Sequence, residues 1–378
     1  MYFDRWPPIC LFDKETIEMT FFSSLSTEKK PSLQPKPWRF YLTSSCLFVF
    51  MLGLILMSLL WGSVFLTSDQ VINALLQTAP LSTEHNIIWN LRLPRTLLAV
   101  VIGAHFALSG LILQSVIRNP LADPSIMGVS GGASLAIVLL LLSADAISAA
   151  LYAGDTSKIS LAWLPFAALL GGLLVAIFIL SLTWKTRISP TKLALNGVAV
   201  GAVLNALVMW AIITWGGSRA ETSILWLAGS LYGRDFQHLI TILPWTFLGL
   251  LATVIIIRPL SLLRFDEDLT HSLGLNVMRW RVLSIAVAVA LAASATAIAG
   301  PIGFVGLIVP HIARLFVGSH MSHLVITSVL AGACLTLGAD ILSRLLLSPL
   351  ELPVGALTTL IGIPILLFLL QRQNGNPV

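Results

Sequence analysis

The sequence predicts an all-α polytopic membrane protein of about ten transmembrane helices, and three observations carry that expectation. Hydrophobic residues make up 57% of the chain and charged residues only 10%, against about 25% charged in a soluble domain; the mean hydropathy is +0.92. Thr96 to Ile117 forms a run of 22 residues without a formal charge, the length a helix needs to cross about 30 Å of hydrocarbon. The basic residues are also unevenly placed. With the N-terminus inside, the inner segments hold sixteen of the 22 Lys and Arg, and the outer side holds Arg92, Arg95, Lys158, Arg219, Arg234 and Arg344. That asymmetry satisfies the positive-inside rule and puts both termini in the cytoplasm. The net charge of +5 is therefore topological and is not a nucleic-acid footprint.

Spans are expected near residues 40–66, 91–117, 126–143, 161–184, 192–215, 239–257, 281–300, 302–318, 322–346 and 353–370. The first follows a mixed polar stretch, residues 1–38, which ends in Lys29-Lys30-Pro31-Ser32-Leu33-Gln34-Pro35-Lys36-Pro37. That stretch lacks the apolar core and small-residue cleavage site of a secretory signal. It reads either as a flexible cytoplasmic tail or as sequence upstream of a true start at Met19. The second span lies between Asn90-Leu91-Arg92-Leu93-Pro94-Arg95 and Arg118-Asn119-Pro120-Leu121-Ala122-Asp123-Pro124. Gly128, Gly131 and Gly132 open the third, and Gly197 and Gly201 on the fifth suit close helix packing. A Gly300-Pro301 pair separates the seventh from the eighth. Pro310 interrupts the eighth, and Gly362 and Pro364 interrupt the last. Such breaks are tolerated in a membrane only when buried in protein or lining a cavity.

Polar residues inside spans are costly and usually face the bundle interior. His105 on the second span suits a helix–helix hydrogen bond. Asn196 and Asn205 lie on the fifth. Asp340 and Arg344 on the ninth are four apart, on one face, and able to pair. Asp340 is the one acid placed inside a span, which argues against an ion-driven transporter built on paired carboxylates. None of the seven lysines follows a glycine, so a P-loop is absent and the chain does not hydrolyse ATP by that mechanism. No His-Glu-x-x-His occurs, His320 and His323 form only a sparse pair, and Cys10, Cys46 and Cys334 have no metal or redox spacing. Neither an enzyme nor a resident metal is expected.

Seven motifs then stand in order along the chain: Asn90–Arg95, Arg118–Pro124, Met127–Ala133 (MGVSGGA), Leu225–Ser230 (LWLAGS), Ser272–Leu275 (SLGL), Gly300–Arg314 (GPIGFVGLIVPHIAR) and Glu351–Gly355 (ELPVG). Together, over about residues 40–370, they resemble the permease subunits of binding-protein-dependent iron-siderophore, heme and cobalamin importers, the FecCD-type family of ABC transporters. The segments Leu225–Asp235 and Lys192–Leu195 are most similar to ferric-citrate-type and related siderophore permeases.

The resemblance implies a type II ABC importer permease fold over residues 39–372, in a bacterial inner membrane. It further implies two permease subunits, identical or homologous, around a central pathway. ABC ATPase subunits would hold ATP and Mg on the cytoplasmic side, a periplasmic substrate-binding protein would dock outside, and this chain itself would bind no cofactor. In the family, arginines at the positions of Arg92, Arg95 and Arg344 meet acidic residues of the binding protein; anchoring of their side chains at the interface is the plainer alternative. On the inner side, Phe265 to Leu275 reads as a short amphipathic helix stopped by Gly274, within a charged loop spanning about 258–281. Asp266, Glu267 and Asp268 suit the positive end of its dipole. Phe265, Leu269 and Leu273 form an apolar face that a solvated loop does not need. The resemblance makes this segment the element that couples to the ATPase. It makes the turn at Ser189, Pro190 and Thr191 an inner gate, and it lines the pathway with the fifth span, where Asn196, Asn205 and Met209 are candidates for either lining or helix packing.

Overall fold

A computed structural model of the chain describes residues 37–62, 64–76, 82–124, 128–152, 163–184, 190–215, 220–348 and 350–374. Among these the fold is all helical. The elements are α1 (Pro37–Leu60), α2 (Ser68–Leu75), α3 (Thr83–Asn86) leading through a π-helical stretch (Ile87–Arg92) into α4 (Leu93–Ile117), α5 (Val129–Tyr152), α6 (Leu164–Trp184), α7 (Pro190–Trp215) and α8 (Ala220–Leu227). They continue as α9 (Phe236–Leu262), α10 (Glu267–Ser272), α11 (Val277–Ala299), α12 (Val305–Val317), α13 (Met321–Leu345) and α14 (Val354–Asn374). Each of the ten expected spans corresponds to one of the longer helices. Six helical stretches are long and apolar enough to cross a membrane by length and composition, and four shorter apolar ones accompany them. The expected tail over residues 1–38 falls outside the described residues except for Pro37 and Trp38, which open α1.

Two element ends depart from expectation. The first span ends at Leu60, six residues short, and the chain then turns into α2, capped by Thr67 and Gln70 in a reciprocal capping box. The second begins earlier than its polar motif suggested, because helix runs unbroken from Thr83 to Ile117. Its basic residues therefore sit on a helix wall and not in a loop. The segment closes at Arg118, whose left-handed backbone (φ 54) stops it.

α4 is the axis of the bundle. Its apolar window is 83% buried, against 11% for α1 and 22% for α9, and it packs against α13, α11, α12 and α9. Small residues permit this. A Cβ at Gly110 would run into the backbone carbonyl of Gly306 on α12, and one at Gly103 into that of Gly332 on α13. His105, at the middle of α4, makes the expected interhelical bonds: Nδ1 to Ser294 Oγ of α11 at 3.1 Å and Nε2 to Thr246 Oγ1 of α9 at 2.9 Å.

Pro310 and Pro364, read as interruptions, lie inside continuous helices. For Pro310 the reason is visible. Proline lacks the N–H that would bond the carbonyl four residues back, and here that carbonyl, Gly306 O, accepts from Gln114 Nε2 of α4 at 3.2 Å, with Leu307 O accepting at 3.0 Å. The same amide accepts from Arg314 Nη1 at 2.6 Å. One glutamine thus replaces the missing helix bond and ties α12 to α4.

Because the α4–α12 crossing leaves no room for a methyl group, Gly110→Ala is expected to destabilise the detergent-solubilised protein by about 1–3 kcal/mol or more. Gly338→Ala on α13, where a Cβ meets nothing within 4 Å, should leave the melting temperature unchanged or raised. Thermal melts of the two variants make the comparison.

Candidate functional site

The predicted site residues gather at opposite ends of α4. At its start, Arg92 and Arg95 come from the π-to-α stretch, and Asp340 and Arg344 come from the last turns of α13. Arg95 Nε lies 2.8 Å from Asp340 Oδ1, and its Nη1 lies 2.8 Å from Glu351 Oε2, in the segment that leads into α14. Arg344 Nη2 is 3.0 Å from Asp340 Oδ2, the i,i+4 pair that the spacing predicted. It also reaches Ser58 Oγ of α1 at 2.7 Å, and Ser58 in turn meets Thr96 Oγ1 of α4 at 2.7 Å. Arg92 donates from Nη1 to Leu59 O at 2.5 Å and from Nη2 to Val64 O. Asp340 is wholly buried, and Arg92, Arg95 and Arg344 are 5–7% exposed. All three arginines therefore have internal partners, and they tie α1, α4, α13 and the α14 entry into one end of the bundle. Ser58 and Glu351 were not singled out as site residues. Glu351 stood inside a quoted motif without a role, and nothing local to Ser58 distinguishes it from other serines.

At the far end of α4, the segment after α9 is pinned from below. Arg118 Nε donates to Leu263 O at 2.9 Å, and Arg264 Nη1 donates to Ser319 O at 2.7 Å. Thr270, fully buried, donates to Leu262 O at 3.1 Å. The predicted amphipathic helix forms over Glu267–Ser272 with Asp266 at its N-cap, Leu273 at its C-cap and Gly274 just beyond in the left-handed region (φ 79). Glu267 Oε1 accepts from Arg281 Nη2 at 2.7 Å. That hydrogen bond, reinforced by the positive charge of Arg281 and only partly opposed by burial, holds the Glu267 carboxyl below the usual carboxylate range. The opposite face has no such anchorage. Phe265, Leu269 and Leu273 are 52%, 50% and 57% exposed, four residues apart and so on one side. Asp266 and Asp268 are solvent-facing beside them.

The remaining candidates divide. Ser189 lies outside the described residues, and Pro190 and Thr191 are described only as the first backbone residues of α7. On α7, Asn205 and Met209 are exposed and four apart on one face. Asn196 is half-buried and, nine residues earlier, about half a turn round the helix. The structure thus brings Asn205 and Met209 together and leaves Asn196 on another side. His320 and His323 pack ring on ring at 4.5 Å, with His323 stacked on Phe40 at 4.0 Å. Among the described residues no group of three or more His, Cys, Asp or Glu could hold a metal ion.

Over residues 49–372 the chain matches the FecCD transport family. It belongs to that family. Relatives include the Fe(3+)-citrate import system permease protein YfmE of Bacillus subtilis (strain 168), 37% identical over 315 residues, covering 82% of this chain and 89% of the relative. The vitamin B12 import system permease protein BtuC of Vibrio cholerae is 36% identical over 354 residues, covering 91% and 98%. A solved structure described as an inward-facing conformation of a putative metal-chelate type ABC transporter superposes with a TM-score of 0.75 at 28% identity, covering 89% of this chain and all of that one. As a FecCD permease the protein is a multi-pass transport component and not a catalyst, which agrees with the absence of a P-loop.

Within this FecCD chain the buried ion cluster gives a graded expectation. Asp340→Ala leaves two guanidinium groups buried without their shared carboxylate and should cost about 3–5 kcal/mol. Glu351→Gln, at a carboxylate with 21% exposure, should cost about 1 kcal/mol or less. Unfolding midpoints of both variants in detergent test the order.

Proposed function

We propose that the protein is the membrane subunit that passes an iron(III)-siderophore complex into the cytoplasm of a bacterium, driven by ATP hydrolysis on separate ABC ATPase subunits. The observation that carries the coupling half of this reading is the loop around α10: a backbone anchored by Arg118, Arg264 and Thr270 that presents three exposed apolar side chains. A face of that kind calls for a protein partner. In this reading Asp266, Glu267, Leu269, Leu273 and Gly274 sit against the ATPase, which holds ATP and Mg.

The orientation follows from the basic-residue count: both termini and the α10 loop inside, the Arg95–Asp340 cluster outside. Residues 39–372 are the transmembrane domain and residues 1–38 a cytoplasmic tail. An extracytoplasmic binding protein delivers cargo at the outer end, where Arg92, Arg95 and Arg344 hold the docking face in shape. A second permease subunit covers the exposed side of α7, so that Asn205 and Met209, with Asn196 from the adjoining face, border the pathway. Ser189, Pro190 and Thr191 narrow its inner exit. Binding of ATP moves the coupling loop and rocks the two halves apart, and no covalent chemistry occurs in this chain. Iron-siderophore cargo is supported by the names of several relatives, among them the hydroxamate permease FhuG of Bacillus subtilis and the achromobactin permease CbrC of Dickeya dadantii. The BtuC relatives support cobalamin as the second reading.

Uptake of radiolabelled iron decides the cargo, with the metal given as ferric citrate, a hydroxamate, a catecholate or heme to cells lacking the gene. Loss for one iron-siderophore alone is the expected result; unchanged uptake of all four points to cobalamin. In the reconstituted complex, Leu273→Asp should lower transport per ATP hydrolysed at least tenfold while the permease still folds, since Leu273 is exposed and its side chain supports no internal contact. Unaltered coupling in that variant rules out the α10 assignment.

A further inference from the structure

Beside the outer ion cluster lies an open cleft of about 340 Å³ lined by Arg92, Arg95, Arg234, Arg344, Tyr232 and Glu351 among others. Its charges do not balance. Four arginines face Glu351 at the wall and Asp340 beneath, +4 against −2. Arg95 and Arg344 account for both carboxylates. Arg92 directs its guanidinium to two backbone carbonyls, which orient it without neutralising its charge. Arg234 is the least satisfied. Its Nη1 makes one long contact, 3.4 Å to His238 Nε2, and its Nε is buried with no hydrogen-bond partner.

The neighbouring acid does not complete the balance. Asp235 caps α9, accepting from the backbone N–H groups of Gln237 and His238 at 3.0 and 3.2 Å, and meets His238 Nδ1 at 2.7 Å. Burial, which would raise its pKa, is outweighed by these bonds, and the carboxyl stays ionised below its usual range. Its acceptor capacity is directed at the helix start and at the histidine. The His238 ring in turn stands between Asp235 and Arg234, so the arginine remains a cation in need of an anion.

We infer that this cleft receives a carboxylate side chain of a protein partner, and that Arg234, not the internally bonded Arg92, Arg95 or Arg344, is the group that reaches it. The inference rests on the docking reading given above and names the residue that performs it. A protein carboxylate fits better than a free small anion because the cleft wall also exposes large apolar surface, with Tyr232 69% and Leu91 59% exposed. An apolar and aromatic border around a desolvated arginine is the anatomy of a protein interface. A dissolved anion would leave that border in water.

The test uses full-length permease in nanodiscs of phosphatidylcholine alone and measures the association rate of its extracytoplasmic binding protein at several salt concentrations. Charge reversal, Arg234→Glu, is expected to lower that rate about tenfold or more at low salt and to flatten its salt dependence. Arg234→Lys should keep most of the rate. Thermal melts equal to wild type establish that both variants fold. An unchanged rate and salt slope in Arg234→Glu overturns the inference while leaving docking itself intact. An effect that arises only when phosphatidylglycerol is added assigns the cleft to a lipid headgroup and also overturns it. Absence of any complex with the wild-type permease overturns the docking reading.

Discussion

The rest of the structure depends on the Asp340 carboxylate, which stands in the protein interior with a guanidinium on either side. Arg95 reaches it from α4 and Arg344 from its own helix, both at hydrogen-bonding range. An isolated buried charge of either sign would be prohibitive. The pairing makes it tolerable only if the geometry is held, because attraction in a low-dielectric interior offsets desolvation only at short range. Each charged group thereby fixes the position of the backbone that carries it. Ser58 draws α1 into the same arrangement, and Glu351 draws in the chain that opens α14. Four separate stretches of sequence, spread from residue 58 to residue 351, are brought into register by five charges.

Directly along the chain from Glu351, the backbone is organised by hydrogen bonds between motifs. Gly355 N–H donates to Gly229 O at 3.0 Å, and Ser230 N–H donates to Ala299 O at 2.8 Å. The LWLAGS, Gly300-Pro301 and ELPVG segments thus meet at one place. Beyond them, Phe304 in the left-handed region (φ 68) starts α12, a conformation a bulky side chain adopts only when its surroundings impose it. The loop that carries Tyr232 and Arg234 leaves directly from this meeting point, so the open cleft is bordered by the best-fixed backbone at that end of the molecule.

Much of this was legible in the sequence, and the reasons are specific. Helices in hydrocarbon must satisfy their own backbone, so apolar length alone located all ten. The Asp340–Arg344 spacing gave an ion pair because i and i+4 share a face, and the Phe265, Leu269, Leu273 spacing gave an apolar stripe for the same reason. Long-range partners were not legible. Arg95 and Glu351 are 256 positions apart, and no local pattern links them. Pro310 read as a break because its remedy, Gln114, lies on another helix. Arg92, Arg95 and Arg344 read as surface charges because the count of basic residues per loop reports which end of a helix a residue occupies, not whether its side chain turns inward.

The two ends of α4 are built on opposed principles, and the contrast explains how one chain can serve partners on both sides of a membrane. At the Arg95 end, almost every polar group is satisfied inside the protein, and what is left over is positive charge at Arg234. Charge acts at a distance and sets the rate and register of an encounter more than its strength, which suits a partner that must come and go with each cargo. At the Arg118 end, the backbone is pinned by hydrogen bonds and what is left over is apolar surface, which acts only in contact and favours a partner that stays. Between them runs α4, 83% buried over its apolar window and crossed by α12 and α13 so closely that no side chain separates the backbones. Such a helix cannot bend without breaking those crossings. Displacement of the α10 loop therefore has to move the packed core as a body, and the weakly packed helices α1, α7 and α9 are where relative motion can occur.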